Sequence, residues 1–211
     1  QTKIHTRFFF FFCSKDALGF LGRINRVDPM EERDLLTGTF NNFGNETRLL
    51  HKYYIKNKPS AILIGGRAYR GYTIKKQGLG SDASDADFSY NNPEDLEGSD
   101  YNFPSSNYSL FAENYFRLGK FSITPGVRFE YIETNAEGYY KLVNTDLGGD
   151  TLLDQKIFED RTRIRTVFLA GLGLSYHLNE NGEFYANFSQ NYRAINFNDL
   201  RITLESLRID P

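Results

Sequence analysis

The side chains best equipped to grip a ligand are arginines set on alternate residues. Arg161, Arg163 and Arg165 form one such series, and Arg67, Arg117, Arg128 and Arg193 lie in segments that alternate apolar and polar positions. Every second residue of an extended chain points the same way, so each series presents its guanidiniums on one face. A guanidinium grips a carboxylate through two parallel hydrogen bonds and keeps its charge in water. A ligand carrying carboxylates or other anionic oxygens is the natural guest of such a face. The competing role is structural, with Glu113, Glu130 and Glu183 as partners on neighbouring strands. If Leu118 opposes Phe121 across a turn, Phe111 opposes Arg128 and Glu113 falls one diagonal away. Arg161, Arg163 and Arg165, toward the long-loop end of their segment, are the chief ligand candidates; Arg128, Arg67 and Arg193 follow.

Other chemistry is thin. Residues 80–100 carry seven acids (Asp82, Asp85, Asp87, Glu94, Asp95, Glu97, Asp100) and no Lys or Arg. The Asp82/Asp85/Asp87 spacing could offer oxygens to Ca²⁺, but the ligand order of an EF-hand and its closing Glu are missing. The segment reads as a solvated loop. His5, His51 and His177 are far apart, and Ser175/His177 comes without a nucleophile elbow or oxyanion hole. Gly78-Leu-Gly80 is not followed by a helix and is no dinucleotide fingerprint. No enzyme, resident metal or cofactor is expected. One cysteine, Cys13, excludes an intrachain disulfide and any cysteine-built zinc site.

The elements that must hold these residues are strands. From Phe121 the odd positions read Phe, Ile, Pro, Val, Phe, Tyr and the even ones Ser, Thr, Gly, Arg, Glu. This two-residue period marks a sheet with one apolar face. Residues 108–118 and 163–179 alternate likewise, with Asn114 an exception on the apolar side; 46–56, 60–74 and 183–196 follow with more noise, and 3–12 is a further candidate. Gly119-Lys120 suits a two-residue hairpin and Glu180-Asn181-Gly182 a three-residue one, and both lengths carry the apolar face across unbroken. A third tight turn is expected at Asn57-Lys58-Pro59. The remaining connections, 78–106 and 135–162, read as long polar loops, with a short helix possible at 17–26 before the second strand.

Short turns at one end and long loops at the other fit an outer-membrane barrel better than a compact domain. Tyr53, Tyr54, Tyr72, Phe116, Tyr131, Tyr176 and Phe184 then belong to aromatic girdles. The alternatives are a small self-contained barrel of about eight strands, structural or adhesive, and a soluble β-sandwich binding module whose apolar faces bury one another. The composition accommodates a barrel: 211 residues, 40% hydrophobic, 16% aromatic, net charge −2. Near-neutral charge argues against a nucleic-acid binder held by bulk electrostatics. No run approaches the 18 apolar residues of a membrane helix. The chain begins at Gln1, and both ends read as cuts in a longer protein.

The block 110–131, LFAENYFRLGKFSITPGVRFEY, resembles a strand–turn–strand unit of TonB-dependent outer-membrane receptors, most specifically at Thr124-Pro-Gly-Val-Arg128. Residues 173–193, GLSYHLNENGEFYANFSQNYR, resemble a second such hairpin, and 196–200 with 44–53 are similar to the ferric dicitrate receptor branch. The resemblance spans about residues 44–200. It implies an all-β, antiparallel up-and-down meander of about six to eight long strands, part of a 22-stranded transmembrane barrel. It further implies import of a ferric chelate, siderophore or citrate, across a Gram-negative outer membrane. The implied partners are that chelate, outer-membrane lipid and lipopolysaccharide, and TonB acting through a plug domain absent from this chain. Residues 1–45 then hold a first strand and outer loop, 46–77, 107–134 and 163–197 strands, and 78–106 and 135–162 extracellular loops. The run Phe8–Phe12 breaks the alternation and has no account at this level.

Overall fold

The computed structural model describes residues 1–20, 27, 30–146, 148, 150–179 and 182–192. Seven strands follow one another: β1 (Thr2–Gly19), β2 (Arg33–Ile55), β3 (Lys58–Gly80), β4 (Ser99–Leu118), β5 (Phe121–Thr145), β6 (Thr151–Asn179) and β7 (Gly182–Ser189). They form a single antiparallel sheet in the order of the chain.

The turns explain the register. Leu118 pairs with Phe121 around Gly119, whose φ of +68° is costly for any residue with a Cβ. Ile55 pairs with Lys58, so the β2–β3 turn is Lys56-Asn57 rather than Asn57-Lys58-Pro59. Both turn residues have positive φ, the primed geometry that follows strand twist, and Pro59 becomes the second residue of β3. Residues 180 and 181 of the expected third turn lie outside the described residues. On either side of them Asn179 faces Gly182, and a register shift then brings Tyr176 opposite Phe184, keeping even residues with even.

The strands are longer than alternation of apolar residues suggested. The segments 135–145 and 151–162, expected as loop, extend β5 and β6, leaving only 146–150 between them. Likewise β2 starts at Arg33 rather than 46, and β3 and β4 shrink the loop 78–106 to 81–98. The suggested helix at 17–26 is also corrected: Ala17, Leu18 and Gly19 finish β1, and residues 21–26 lie outside the described residues. Chain polarity explains the difference. Where both faces of a strand meet water, no two-residue apolar rhythm is required.

Exposure runs opposite to that of a soluble sheet. Leu110 is 69% exposed, Phe168 63% and Phe121 57%, while Ser109 and Ser122 on the other face are 3% exposed. The apolar side is therefore the open one and the polar side the sheltered one. No second sheet covers the apolar residues among those described, so the sandwich reading fails. The same exposure suits a wall with lipid outside and a wet lumen inside.

The outward band has aromatic edges. At the short-turn end Phe121 packs on Tyr176 with ring centroids 4.6 Å apart, and at its other edge Tyr108 meets Tyr131 at 6.4 Å. Tyr108 and Leu118 are ten residues apart, about 34 Å along a strand. Tyr54 has the opposite parity to Tyr53 and drops out of the girdle. The exception Asn114 is satisfied: its amide donates to the Tyr53 hydroxyl at 2.7 Å. The Phe run resolves as well. Phe8, Phe10 and Phe12 face outward, while Phe9 turns inward onto Gly44, where a Cβ would lie 2.3 Å from its ring. The band also climbs from strand to strand. The aromatics that close the apolar band step upward, from Phe168 on β6 through Tyr131 and Tyr108 on β5 and β4 to Tyr72 on β3 and Phe12 on β1, which pairs through Asn41 to the level of Tyr72. Tyr139 and Phe158 also face outward, further along β5 and β6 beside Lys156.

Candidate functional site

The luminal face is built from transverse rows of paired residues. One row runs Arg7, Glu46, Arg67, Ser109, Glu130, Val167, and the next runs His5, Arg48, Gly65, Phe111, Arg128, Leu169. Phe111 does oppose Arg128, as the turn predicted. Arg67, Arg117, Arg128, Arg161, Arg163 and Arg165 all share this face; Arg193 lies outside the described residues. Arg7 and Arg48 join them. They escaped the sequence because the Phe run hid the parity of β1 and because β2 alternates weakly.

Carboxylates partner some of these arginines, by an unexpected geometry. Arg128 pairs with Glu130, Arg161 with Glu159 and Arg48 with Glu46, in each case two residues away on the same strand. Glu113 is not the partner of Arg128. The second group on Arg128 is instead the Ser109 hydroxyl, 3.2 Å from Nη2, and its guanidinium lies 5.5 Å from the centre of the Phe111 ring. Arg67 is held differently. It stacks over Phe9 at 5.0 Å and Tyr69 at 5.9 Å, and its Nε is buried without a hydrogen-bond partner. An unmet buried donor is costly, so Arg67 has capacity for an acceptor. Arg67 and Arg128 share the wall of a cavity of about 350 Å³ with Tyr69, Asn107 and Glu130.

Arg161, Arg163 and Arg165 stand further from the short turns. Their neighbours across β5 are Ala136, Thr134 and Ile132, none of them acidic. Arg165 donates to the Tyr192 hydroxyl at 3.0 Å. Among the described residues Arg163 and Arg165 have no carboxylate partner, while Arg161 is paired with Glu159.

The acidic loop is not simply solvated. Residues 81–98 fold back over the outward face of the wall, where Gly78 and Gly80 leave room for Tyr90, Leu96 and the Ser89 carbonyl. Leu96 is 1% exposed. Asp95 is clamped between Lys141 and Lys156 at 2.8 and 2.9 Å, and Asp85 meets Arg33 at 2.8 Å. Other acids are used locally; Asp87, for example, accepts from the Ser89 amide at 3.0 Å. Among the described residues no cluster suited to a metal ion occurs. The hydrogen bond from Lys141, followed by that from Lys156, holds the Asp95 carboxyl below its ordinary range. That of Asp85 is lowered chiefly by the Ser81 hydroxyl. A carboxyl with a depressed folded-state pKa contributes its stabilisation above the unfolded value and loses it as pH falls through the folded one. Loop docking is therefore expected to be intact at neutral pH and lost below about pH 4, seen as faster amide exchange across 82–97 with the strands still protected.

The wall is thus apolar outside, arginine-rich inside and joined by short turns at one end. The model of the TonB-dependent receptor-like β-barrel matches residues 8–205. The chain belongs to this family. TonB-dependent receptors are receptors rather than enzymes, and their barrels stand in the outer membrane of Gram-negative bacteria. Two solved structures are similar. The ferric citrate transporter FecA in its unliganded form shares 20% identity with a TM-score of 0.64, covering 89% of this chain and 24% of its own. The ferric-catecholate import receptor Fiu from K12 E. coli, in closed form, shares 15% identity with a TM-score of 0.60, covering 89% and 30%. This TonB-dependent receptor chain thus spans about a quarter to a third of the proteins it resembles, and at such identity the likeness concerns the fold. No curated protein matches the sequence. The seven-strand meander is consistent with an arc of the family's 22-stranded barrel.

Proposed function

We propose that this chain forms an arc of the wall of an outer-membrane receptor that imports an anionic ferric chelate, of siderophore or citrate type, with energy coupled through TonB. The observation that carries the reading is the ladder Arg161, Arg163, Arg165, facing the lumen with no acid opposite it on β5. An anion entering the lumen from the long-loop side meets this ladder before Arg67, Arg128 and Arg48, which lie nearer the short turns. Arg67, with its unpartnered Nε, and Arg128 form a second station deeper in the wall, and Arg193 is proposed with them from the sequence alone. The apolar band is the lipid contact, and TonB acts through a plug domain outside this chain.

The test uses the complete receptor. Replacing Arg161, Arg163 and Arg165 together by Ala is expected to weaken ferric chelate binding at least about tenfold, the equivalent of one lost charge-assisted hydrogen bond. Radio-iron uptake by cells should fall in step. Unchanged titration curves for both ferric citrate and a ferric catecholate would remove the ladder from the ligand's path.

A further inference from the structure

The outward face is not uniformly apolar. The row that presents Leu110, Phe129 and Phe168 on β4, β5 and β6 continues as Gly66 on β3, Thr47 on β2 and Thr6 on β1. Two residues higher, Asn45 on β2 stands between Phe8 and Ala68. The polar side chains are joined. The Thr6 and Thr47 hydroxyls are 3.2 Å apart, Thr47 donates to Asn45 Oδ1 at 3.3 Å, and the Asn45 amide donates to the Arg7 carbonyl at 3.2 Å. This uses only one of the two Asn45 amide hydrogens. With a rise of about 3.4 Å per residue and a lean of about 40°, Asn45 and Thr47 lie about 10 and 16 Å below the rim at Asn41. Hydrocarbon at that depth offers no hydrogen bond, and a polar group there is costly unless protein meets it.

The surface beside these polar groups is uneven. Gly66 and Ala68 floor an outward recess of about 500 Å³, walled by Asn45 and Thr47 on one side and by Tyr108 and Leu110 on the other. A Cβ on Gly66 would touch only the Leu110 side chain, at 3.3 Å, and the Ser109 carbonyl. On the far side of β2 the Phe8 ring projects, 69% exposed. Knob and recess are therefore two strands apart, about 10 Å, and the polar pair lies on the strand between them.

We propose that this patch joins two copies of the receptor about a two-fold axis along the membrane normal, passing β2 between Asn45 and Thr47. A two-fold axis sets the same patch against itself, so a knob on one side meets whatever lies equally far on the other. At a lean of about 40° the two walls cross at about 80°, the near-orthogonal class of sheet packing. That crossing carries Phe8 of each copy over Gly66 of the other. At the axis Asn45 and Thr47 meet their own counterparts, which gives the unused amide hydrogen an acceptor. Small residues that admit a close approach and a polar centre that hydrogen-bonds across it are the means by which membrane-embedded segments associate. The inference rests on the outward face lying in the membrane and not on the import reading.

The test is oxidative cross-linking of the complete receptor in native outer membranes, in a Cys13→Ser background. Thr47→Cys lies beside the axis and is expected to give a covalent dimer, whereas Phe129→Cys, in the same row three strands away, gives none. In detergent, dimerisation read by sedimentation should weaken at least about tenfold for Phe8→Ala, which removes the knob, and for Gly66→Leu, which fills the recess. Both positions are on the outer surface, so the fold is expected to survive either change. A monomeric parent, equal cross-linking by Thr47→Cys and Phe129→Cys, or capture of a different protein by Thr47→Cys would each overturn the contact. So would a dimer indifferent to both Phe8→Ala and Gly66→Leu. Radio-iron uptake separates the two proposals. A dimer that takes up no chelate supports the contact and refutes import, and uptake by a monomeric parent does the reverse.

Discussion

Val127→Arg is expected to destabilise the barrel by about 2–4 kcal/mol, because it places a guanidinium at mid-depth on the lipid side. Val127 pairs with Ala112 and Ala170, midway between the Phe121–Tyr176 and Tyr108–Tyr131 edges, and is exposed on the outward face. In a soluble protein an exposed valine is among the safest places for a charge. In an outer-membrane barrel wall the exposure is to hydrocarbon, where no water solvates the guanidinium and its stem cannot reach either interface without strain. Thr124→Arg, three residues away and facing the lumen beside Gly173, is the matched control and should cost less than about 1 kcal/mol, since it meets water. Urea titration of the complete receptor in detergent or lipid reads both. Equal tolerance of the two changes would mean that the apolar band does not face lipid.

Gly138→Val should cost about 2–4 kcal/mol, from strain at positive φ together with overpacking against a strand that cannot retreat. The atoms it would strike belong to the backbone of Asp100 and Tyr101, so no side-chain rotation relieves the clash. The loss should be local. Pairing between β4 and β5 above the Tyr108–Tyr131 level should open, Tyr101 should lose Glu159, and amide protection at 99–103 and 136–142 should fall first. A variant with protection unchanged there would show that the close approach at Gly138 is not needed.

What could be read directly from the residues was governed by the contrast between the two faces of the wall. Between Leu118 and Tyr108 one face is an open apolar band and the other a sheltered polar one, so the chain alternates, and hairpin register followed from turn length. Above that level the constraint vanishes. In 135–145 and 151–162 neither face has to be uniformly apolar, since a charged loop covers part of the outward side and Ala136 packs inward on Tyr101 and Phe103, so charge and aromatics mix freely and strands look like loops. The luminal arginines were legible because parity could be counted from the apolar face. Their partners were not: Glu130, Glu159 and Glu46 lie along the same strand, and only side-chain geometry separates that from pairing across strands. Neighbours across the sheet were hidden for a further reason: Lys15 and Lys75 are 60 residues apart, and only the register of β1 on β2 and β2 on β3 puts Gly38 between them. The outward docking of the acidic loop was equally invisible, since it depends on what Gly78 and Gly80 lack.

The climb of the outward aromatics measures how the strands lean. From Phe168 on β6 to Phe12 on β1 the rim rises six residues over five strand-to-strand steps. With a rise of about 3.4 Å per residue and about 4.8 Å between strands, a horizontal rim requires a lean of about 40° from the membrane normal. At that angle the 34 Å of apolar strand from Leu118 to Tyr108 projects to about 26 Å, close to the usual hydrocarbon band of about 25 Å. Taken together, the slope of that rim and the length of the band fit one bilayer thickness. Carried upward, the same angle lifts the tip of β5 about 36 Å above the rim. On the same geometry the arginine ladder stands above the apolar band, in the part of the wall that rises beyond it.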